Sequence, residues 1–208
     1  MGEQSVEEWV ASVPAAINKV PAKEYLFHPG DACNHFVYVV SGRVRVDMLS
    51  PTGQQILLYR IHEGESCIMT TACLLGNNEY SVQAVSETEL EIALISKTEF
   101  LSSLNQSETI RNFVFDGFCS RISDVVSRMN EIATMPIDQR LASVLLEHYS
   151  AAKPGEALRL THEGLAVEVG TAREVISRRL AVFEKQGLLQ RSRGYISILD
   201  HARLREII

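Results

Sequence analysis

The sequence predicts an α+β chain with three parts in order: a β-rich N-terminal half, one long helix, and a small helical C-terminal domain with a β-hairpin. Short β-branched and aromatic runs separated by Gly-centred turns fill residues 23–95. Apolar residues then recur at helical spacing over 108–132. A helix, a glycine turn and a second helix follow within 161–185. Short strands in such close succession are typical of a barrel or a sandwich.

The composition excludes several classes of protein. The chain has 208 residues, 46% hydrophobic and 22% charged, which is too apolar for disorder. No stretch approaches about 18 uncharged apolar residues, so we expect no membrane-spanning helix and no membrane partner. The polar start, Met1 to Ser5, does not resemble a secretory signal. Four Cys without such a signal indicate free thiols in a reducing cytoplasm, where we expect the protein.

The N-terminal half is predicted to begin with a short helix. Ser5 and Glu8 fit a capping box, and Trp9, Val10 and Val13 provide an apolar face. The predicted strands that follow are 36–40, 43–48, 55–61, 80–85 and 90–95.

Strict alternation in the second of these strands predicts one shared face for Val44, Val46 and Met48. A turn at Pro51-Thr52-Gly53 connects this strand to the next one, which Gly64 ends.

The long helix is predicted from Glu108 to Ile132, about seven turns. We favour pairing of this helix with a copy of itself, and the alternative is a core helix packed on its own barrel. The predicted dimer interface consists of Ile110, Val114, Phe118, Ile122, Val125 and Met129. Arg121 is expected on another face, and Met135-Pro136 ends the helix at a hinge.

The C-terminal part is predicted as a helix over 138–150, a turn at Lys153-Pro154-Gly155, and a helix-turn-helix. Thr161 is the expected N-cap of the first helix, Gly170 makes the turn, and Thr171 caps the second helix. The residues expected to be buried are Leu165, Ala166, Val169, Val175, Ile176, Leu180 and Phe183. A small hairpin with a basic tip follows over 190–198.

The second helix of this motif carries a set of side chains suited to DNA. Arg173, Glu174, Ser177 and Arg178 lie at i, i+1, i+4 and i+5, so they share one face. Arg offers a fork of donors to guanine, and Glu offers an acceptor to cytosine. The predicted phosphate contacts are Thr171, Arg179, Arg191 and Arg193. The alternative is an ordinary solvated surface helix.

The charge distribution favours DNA over that alternative. The whole chain has a net charge of −6, but residues 135–208 hold 11 Lys and Arg against 9 Asp and Glu. Within 173–193 the balance is six cations against two anions. A basic C-terminal patch therefore lies on an acidic body, which suits double-stranded DNA as a partner.

The segment Leu160–Leu180 resembles the winged helix-turn-helix of the CRP/FNR family of bacterial regulators. Leu26–Asp31, Val39–Val44 and Gly64–Ser66 resemble that family's cyclic-nucleotide-binding-like β-roll. The resemblance covers nearly the whole chain in the same order. It implies an N-terminal double-stranded β-helix (jelly roll) as sensor, a dimerisation helix and a winged helix-turn-helix. The corresponding domains are 1–107, 108–134 and 135–208.

The resemblance also implies a homodimer with two recognition helices in successive major grooves. We expect a palindromic operator with half-sites resembling TTGA, about one helical turn or roughly 34 Å apart. Glu174, Ser177 and Arg178 match the family's base-reading positions, and Arg173 matches one used in the CRP branch. Ser177 in place of Gly resembles the FNR branch. RNA polymerase is a further partner if the protein is an activator.

The resemblance leaves the effector open. In the cyclic-AMP receptor, the cassette after the glycine supplies a Glu for the ribose and an Arg for the phosphate. In this chain the two positions fall near Met69 and Tyr80, and no Arg or Lys lies between Arg60 and Lys97. We therefore do not expect cyclic AMP in its usual mode. The effector candidates are Cys67, Met69, Thr70, Cys73, Tyr80 and Ser81.

Other signals were weighed from the Cys and His spacing. The cysteines, at positions 33, 67, 73 and 119, are too widely spaced for an iron–sulfur cluster or a zinc site, so we expect no metal. Haem stays open through His28, His35 or His62, and thiol sensing of oxidant, nitric oxide or reactive sulfur through Cys67 and Cys73. An unidentified small organic ligand is equally open.

An enzyme is not expected, because no cluster of His and carboxylates suggests catalysis. An interaction module without DNA binding is disfavoured by the basic helix and hairpin. The sequence thus predicts an allosteric regulator, in which a signal in the roll shifts the long helices and reorients the DNA-binding domains.

Overall fold

The computed structural model describes residues 5–50, 53–76, 78–153 and 155–208. Three predicted features fall on residues outside these ranges: the polar start at Met1–Gln4, Pro51-Thr52 of the predicted turn, and Pro154. Contacts divide the chain into two compact units, Met1–Met48 with Leu58–Val126 and Leu49–Leu57 with Ser127–Ile208. None of the helices in the described ranges is long and apolar enough to cross a membrane.

The N-terminal part of the chain forms a β-roll made from two antiparallel sheets and flanking helices, and most of the roll belongs to the first unit. The strands of the roll are β1 (Ala15–Val20), β2 (Tyr25–Phe27), β3 (His35–Ser41), β4 (Val44–Leu49), β5 (Gln55–Ile61), β6 (Gln83–Ser86) and β7 (Leu90–Ser96). One sheet has the order β1-β7-β3 and the other β2-β6-β4-β5. The helices are α1 (Val6–Ser12), α2 (Ile68–Gly76) and α3 (Lys97–Gln106). Inward-facing side chains of both sheets form the core.

The capping box predicted for the first helix is confirmed. The Ser5 hydroxyl accepts from the Glu8 amide, and the Glu8 carboxylate accepts from the Ser5 amide. Trp9 is buried, and its indole Nε1 donates to Ser103 Oγ at 2.9 Å. A helix of seven residues needs such packing, because its few internal hydrogen bonds do not stabilise it alone.

Strand β4 departs from the predicted alternation at its end. Val44 and Val46 are buried, but Met48 is 41% exposed while Asp47 is fully buried. Arg45 compensates Asp47, since its Nε lies 2.9 Å from Asp47 Oδ2. Burial nevertheless raises the pKa of Asp47 from its ordinary value. Met48, which was predicted to share a face with Val44 and Val46, is therefore not buried with them.

Helix α4 spans Glu108–Thr134, close to its predicted bounds. Ile110 and Val114 are buried in the core of the first unit, beside Trp9. Phe118 and Val125 are half-buried against the core of the roll. These four residues therefore pack within their own chain.

A different face of α4 is apolar and exposed. We call it the apolar stripe: Phe115, Cys119, Ile122, Val126 and Met129. Their spacing of 4, 3, 4 and 3 residues is that of a heptad seam. Of the six predicted interface residues, only Ile122 and Met129 lie on this stripe.

Arg121, which was predicted to lie on a face of α4 other than the apolar seam, is buried. Its guanidinium bonds to Glu65 and to Asp124. It also lies 5.5 Å from the centre of the Tyr59 ring, a cation–π geometry. Glu65 and Tyr59 come from distant parts of the chain, so helical periodicity alone did not reveal them.

The second unit contains the helices α5 (Ile137–Ala151), α6 (His162–Val169), α7 (Arg173–Lys185) and α8 (His201–Arg205). It also contains the hairpin β8 (Leu189–Ser192) and β9 (Tyr195–Ile198). Its core gathers side chains from α5, α6, α7, the hairpin and α8, including the fully buried Leu141, Leu165, Leu180 and Leu204.

Candidate functional site

Helices α6 and α7 form a helix-turn-helix with defined ends. The Thr161 hydroxyl accepts from the Gly164 amide at 3.0 Å, so the predicted N-cap of α6 is confirmed. Gly170 ends the helix in the left-handed region, at φ 70°. Thr171 does not cap α7, contrary to the prediction. Its amide donates to Ala166 O at 2.9 Å and its side chain is buried, so the N-cap of α7 is Ala172.

The turn between these helices is held by a residue that the sequence analysis missed. Arg140 in α5 is buried, and its Nη1 donates to Val169 O at 2.6 Å, beside Gly170. Burial lowers the pKa of Arg140, with the nearby Arg128 adding to the effect. A cation bonded to the C-terminal carbonyls of a helix is favourable, because the helix dipole is negative there.

Helix α7 buries one side and exposes the other. Ile176, Leu180 and Phe183 are buried as predicted, while Val175 is only half-buried. On the opposite side Arg173, Glu174 and Arg178 are exposed. We call these three residues the recognition face.

Ser177, the fourth predicted base-reading residue, is half-buried and already engaged. Its Oγ lies 2.7 Å from His162 Nδ1, at the start of α6. Burial lowers the pKa of His162, and the charges of Arg191 and Arg173 lower it further.

The hairpin forms a wing beside α7. Ser192 pairs with Tyr195, so Arg193 and Gly194 form a two-residue tip, and Arg193 is exposed. Arg191 points to α7 instead. Its Nε and Nη2 donate to Glu184 Oε2 at 2.9 and 2.6 Å, and its amide donates to Oε1 at 2.8 Å. These bonds lower the pKa of Glu184.

A small basic cleft lies between the wing and the starts of both helices. Its volume is about 280 Å³, and its lining includes Thr161, His162, Arg173, Arg191 and Tyr195. The start of α7 borders this cleft without a side-chain cap from any described residue. Free helix N-terminal amides beside Arg side chains suit a phosphate group. The fourth predicted phosphate contact, Arg179, pairs with Asp138 at 3.2 Å.

The first unit encloses a cavity of about 540 Å³ between the inner faces of its two sheets. Val39, Val44, Ile61 and Ala84 form part of its wall. Of the six effector candidates, the cavity touches only Cys67 and Tyr80.

Comparison with known proteins matches two segments of the chain to two domain families. Residues 17–107 match the cyclic nucleotide-binding domain family, and residues 139–207 match the Crp-like helix-turn-helix domain family. The cAMP-activated global transcriptional regulator CRP of Salmonella typhimurium is 25% identical over 189 residues, covering 88% of each chain. A crystal structure from Eubacterium rectale, assigned to the crp/fnr family of transcriptional regulators, is 29% identical. It covers 97% of this chain and 93% of its own, with a TM-score of 0.86.

The chain belongs to the CRP/FNR family. It is a DNA-binding transcription regulator, and this family is not one of enzymes. The predicted α+β fold class is confirmed. The c-di-GMP responsive regulator CLP of Xanthomonas campestris has the same fold, with a TM-score of 0.81 and 21% identity over 93% of this chain and 97% of its own.

Five of the six effector candidates lie in helix α2 or after it. Thr70 is buried, and its Oγ1 accepts from Tyr80 Oη at 3.2 Å. The Tyr80 ring stacks on Phe27 with centroids 3.8 Å apart. Met69 is half-buried, and Ser81 is exposed. This stack therefore includes the residue that the family resemblance predicts near the position of the CRP branch's arginine.

The cysteines of this CRP/FNR chain are free, and two of them are poor thiolates. Cys67 and Cys73 are buried, and burial raises the pKa of both thiols. Cys33 is half-buried, and its Sγ lies 3.5 Å from Thr70 O. The described residues hold no group of three His, Cys, Asp or Glu side chains suited to a metal ion.

The three histidines considered for haem lie in different settings. His28 stacks on Tyr25 at 4.5 Å, His35 lines the cavity, and His62 is exposed after β5. Of the three, only His35 faces the cavity.

Proposed function

We propose that this CRP/FNR protein is a homodimer that reads a palindromic operator with one α7 helix in each of two successive major grooves. The observation that carries the proposal is the recognition face, three exposed polar side chains on a helix whose other side is buried. Arg173 and Arg178 offer guanidinium forks to guanine, and Glu174 offers an acceptor to cytosine. Half-sites resembling TTGA, about one helical turn apart, follow from the family resemblance.

The proposed phosphate contacts differ in their exposure and in whether a carboxylate already binds them. Arg193 at the wing tip is exposed and suits a phosphate directly. Arg191 and Arg179 first have to share or release a carboxylate, Glu184 and Asp138 respectively. Thr171 is buried, so its amide and hydroxyl serve the turn. We therefore assign phosphate binding to Arg193 and to the basic cleft.

The proposed dimer interface is the apolar stripe of α4. Phe115, Ile122, Val126 and Met129 are 59–64% exposed, which is unusual for four large apolar side chains on one helix. Heptad spacing allows two such helices to pack along their length. We do not place Ile110 and Val114 in this interface, because both are already buried in their own unit.

We propose that the signal is sensed in the roll and that it is not cyclic AMP. The relatives named as cAMP-activated suggest that nucleotide, but this chain has Met69 and Tyr80 where the family's ribose and phosphate ligands are expected. Raised thiol pKa values also give little support to sensing by Cys67 and Cys73. A colourless small molecule in the roll is favoured by the cavity. Contact with RNA polymerase follows if the regulator is an activator.

The DNA proposal is tested by selecting an operator from a random double-stranded library, followed by gel shift. Arg178→Ala should weaken binding to the selected operator by roughly 1–3 kcal/mol and relax specificity at one base pair of each half-site. Arg205→Ala is the matched control, since it removes an exposed cation in α8 of the same unit. Equal losses for both variants, or none for Arg178→Ala, would overturn the assignment of the recognition face.

The dimer proposal is tested by sedimentation equilibrium. Ile122→Lys should convert the dimer to a monomer, because a charge in the seam loses its hydration on pairing. Ile17→Lys is the control, since Ile17 is an equally exposed apolar residue on β1. A dimer that survives Ile122→Lys and Met129→Lys would show that the chains pair elsewhere.

A further inference from the structure

We infer that the cavity between the two sheets of the roll is a ligand site that takes a compact hydrophobic amine. The inference deepens the proposed sensing role of the roll and depends on it for its regulatory meaning. It names the charge and shape of the effector, which neither the fold nor the cassette defines.

The walls of the cavity indicate an apolar ligand. Val39, Val44, Ile61, Ala84 and Ile92 come from both sheets, and all are at most 5% exposed. Protein interiors are close-packed, so a gap of about 540 Å³ between two sheets is not ordinary packing. Water in such a space would find few polar partners along these walls. The volume lies within the range typical of small-molecule pockets.

The mouth of the cavity indicates the polar group of the ligand. Asn18, Asp31, Asn34 and His35 line it, and all four are exposed. The Asp31 carboxylate accepts one hydrogen bond from the His28 amide at 2.7 Å and keeps further acceptor capacity. Among the described lining residues there is no Lys or Arg. An ammonium group at the mouth therefore meets a carboxylate and amide oxygens, whereas a phosphate or carboxylate meets Asp31 without a compensating cation.

Among the described residues of the cassette that the family resemblance implies, Cys67 and Tyr80 line the cavity and the others do not. Met69, Thr70 and Ser81 do not belong to the cavity lining, and neither does any described residue of α4. The opening lies beside β1, β2 and the loop before β3, where Asn18, Tyr25 and Asn34 are exposed.

The test uses three probes with one ring system and different charge: 2-(1-naphthyl)ethylamine, 1-ethylnaphthalene and 1-naphthaleneacetate. Each is titrated into the purified full chain by calorimetry. The amine should bind best, the neutral compound more weakly, and the carboxylate at least tenfold more weakly than the amine. No binding of the amine at millimolar concentration, or equal binding of the carboxylate, overturns the proposal.

Substitutions of residues that line the cavity test whether the probes bind there. Asp31→Asn should remove the advantage of the amine over the neutral probe, whereas the exposed Asp116→Asn on α4 should leave it unchanged. Ala84→Leu fills the cavity and should abolish binding of the amine and the neutral probe. Val37→Phe does the same from a half-buried position, in case the first filler does not fold. Amine binding that survives both fillers overturns the site.

The same titrations are repeated with the selected operator by gel shift. If the protein does not bind the operator when no probe is present, this result contradicts the proposed regulator but not the cavity site. Intact DNA binding with no amine binding would contradict the cavity site alone.

Discussion

His162 and Ser177 form a hydrogen bond of 2.7 Å between the two helices of the helix-turn-helix. The protonation state of the His162 ring therefore determines whether the Ser177 hydroxyl can donate a hydrogen bond to a DNA base or only accept one. When Nδ1 is unprotonated, the hydroxyl donates to the ring and presents only acceptor lone pairs. When the ring is protonated, Nδ1–H donates to the hydroxyl, whose own hydrogen is then free for an acceptor on DNA.

The first prediction concerns pH. Because the folded pKa of His162 is lowered, its ring is neutral at pH 7 and takes up a proton when DNA phosphates approach. Operator affinity should increase as pH falls below about 6.5, by at most about tenfold per pH unit. His162→Gln should flatten this dependence in fluorescence-anisotropy titrations, and His201→Gln should not.

The same lowered pKa has the opposite effect on the DNA-free protein. Below pH 6.5 the unfolded chain binds a proton that the folded one does not, so stability should decrease as pH falls. His162→Gln should reduce this loss in denaturant unfolding followed by circular dichroism. A pH dependence of DNA binding that is identical in wild type and His162→Gln would contradict the role of the ring.

The second prediction uses Cys119, the exposed cysteine of the apolar stripe. In a parallel pair of helices, a residue of the seam faces its own copy at a distance that suits a disulfide. Copper-phenanthroline oxidation should therefore link two chains, seen as a dimer band on a non-reducing gel. Cys119→Ser should abolish the band. A band that persists in this variant would place another cysteine at the interface.

The third prediction concerns Gly170. Alanine there should cost about 1–2 kcal/mol for the left-handed backbone. A further loss is expected because its Cβ would lie 3.1 Å from Ile132 Cδ1. Gly187→Ala separates the two effects, since Gly187 has φ 73° and open space around it. Urea unfolding should show the larger loss for Gly170→Ala, and Ile132→Val should recover part of it. Equal losses would show that the contact with Ile132 relaxes freely.

The fourth prediction concerns the thiols. The thiolate is the reactive form, so the raised pKa values of Cys67 and Cys73 should make both slow to react. Timed iodoacetamide labelling with mass spectrometry should modify both thiols far more slowly in the folded protein than in the protein unfolded with urea. Peroxide should leave the operator affinity of Cys119→Ser within twofold of its untreated value. Fast labelling of Cys67 or Cys73 would restore the thiol-sensor hypothesis.

The sequence predicted well where one local pattern decides the structure. The capping box at Ser5 and the buried side of α7 depend on spacing within a few residues, and both were found. Prediction from the sequence failed for side chains whose contacts come from residues that are distant in the sequence. Arg121 is buried because Glu65 and Tyr59 lie beside it, and no helical period contains that information.

The interface residues illustrate the same limit. Ile110 and Ile122 have equal hydrophobicity and both fit a helical seam, so spacing could not tell them apart. The structure separates them, because the roll covers Ile110 and leaves Ile122 59% exposed. Likewise, no local pattern indicated that His162 would form a hydrogen bond with Ser177, fifteen residues later.

Three hydrogen bonds from Arg191 to the Glu184 carboxylate connect the wing to the C-terminal part of α7. The backbone positions of Arg193 at the wing tip and Arg178 on the helix are thereby linked. In the proposed complex, we expect the duplex to adjust its groove width to the spacing of the wing and the helix. Base pairs between the two contacts are then selected by how easily they bend and twist, even though no side chain touches them.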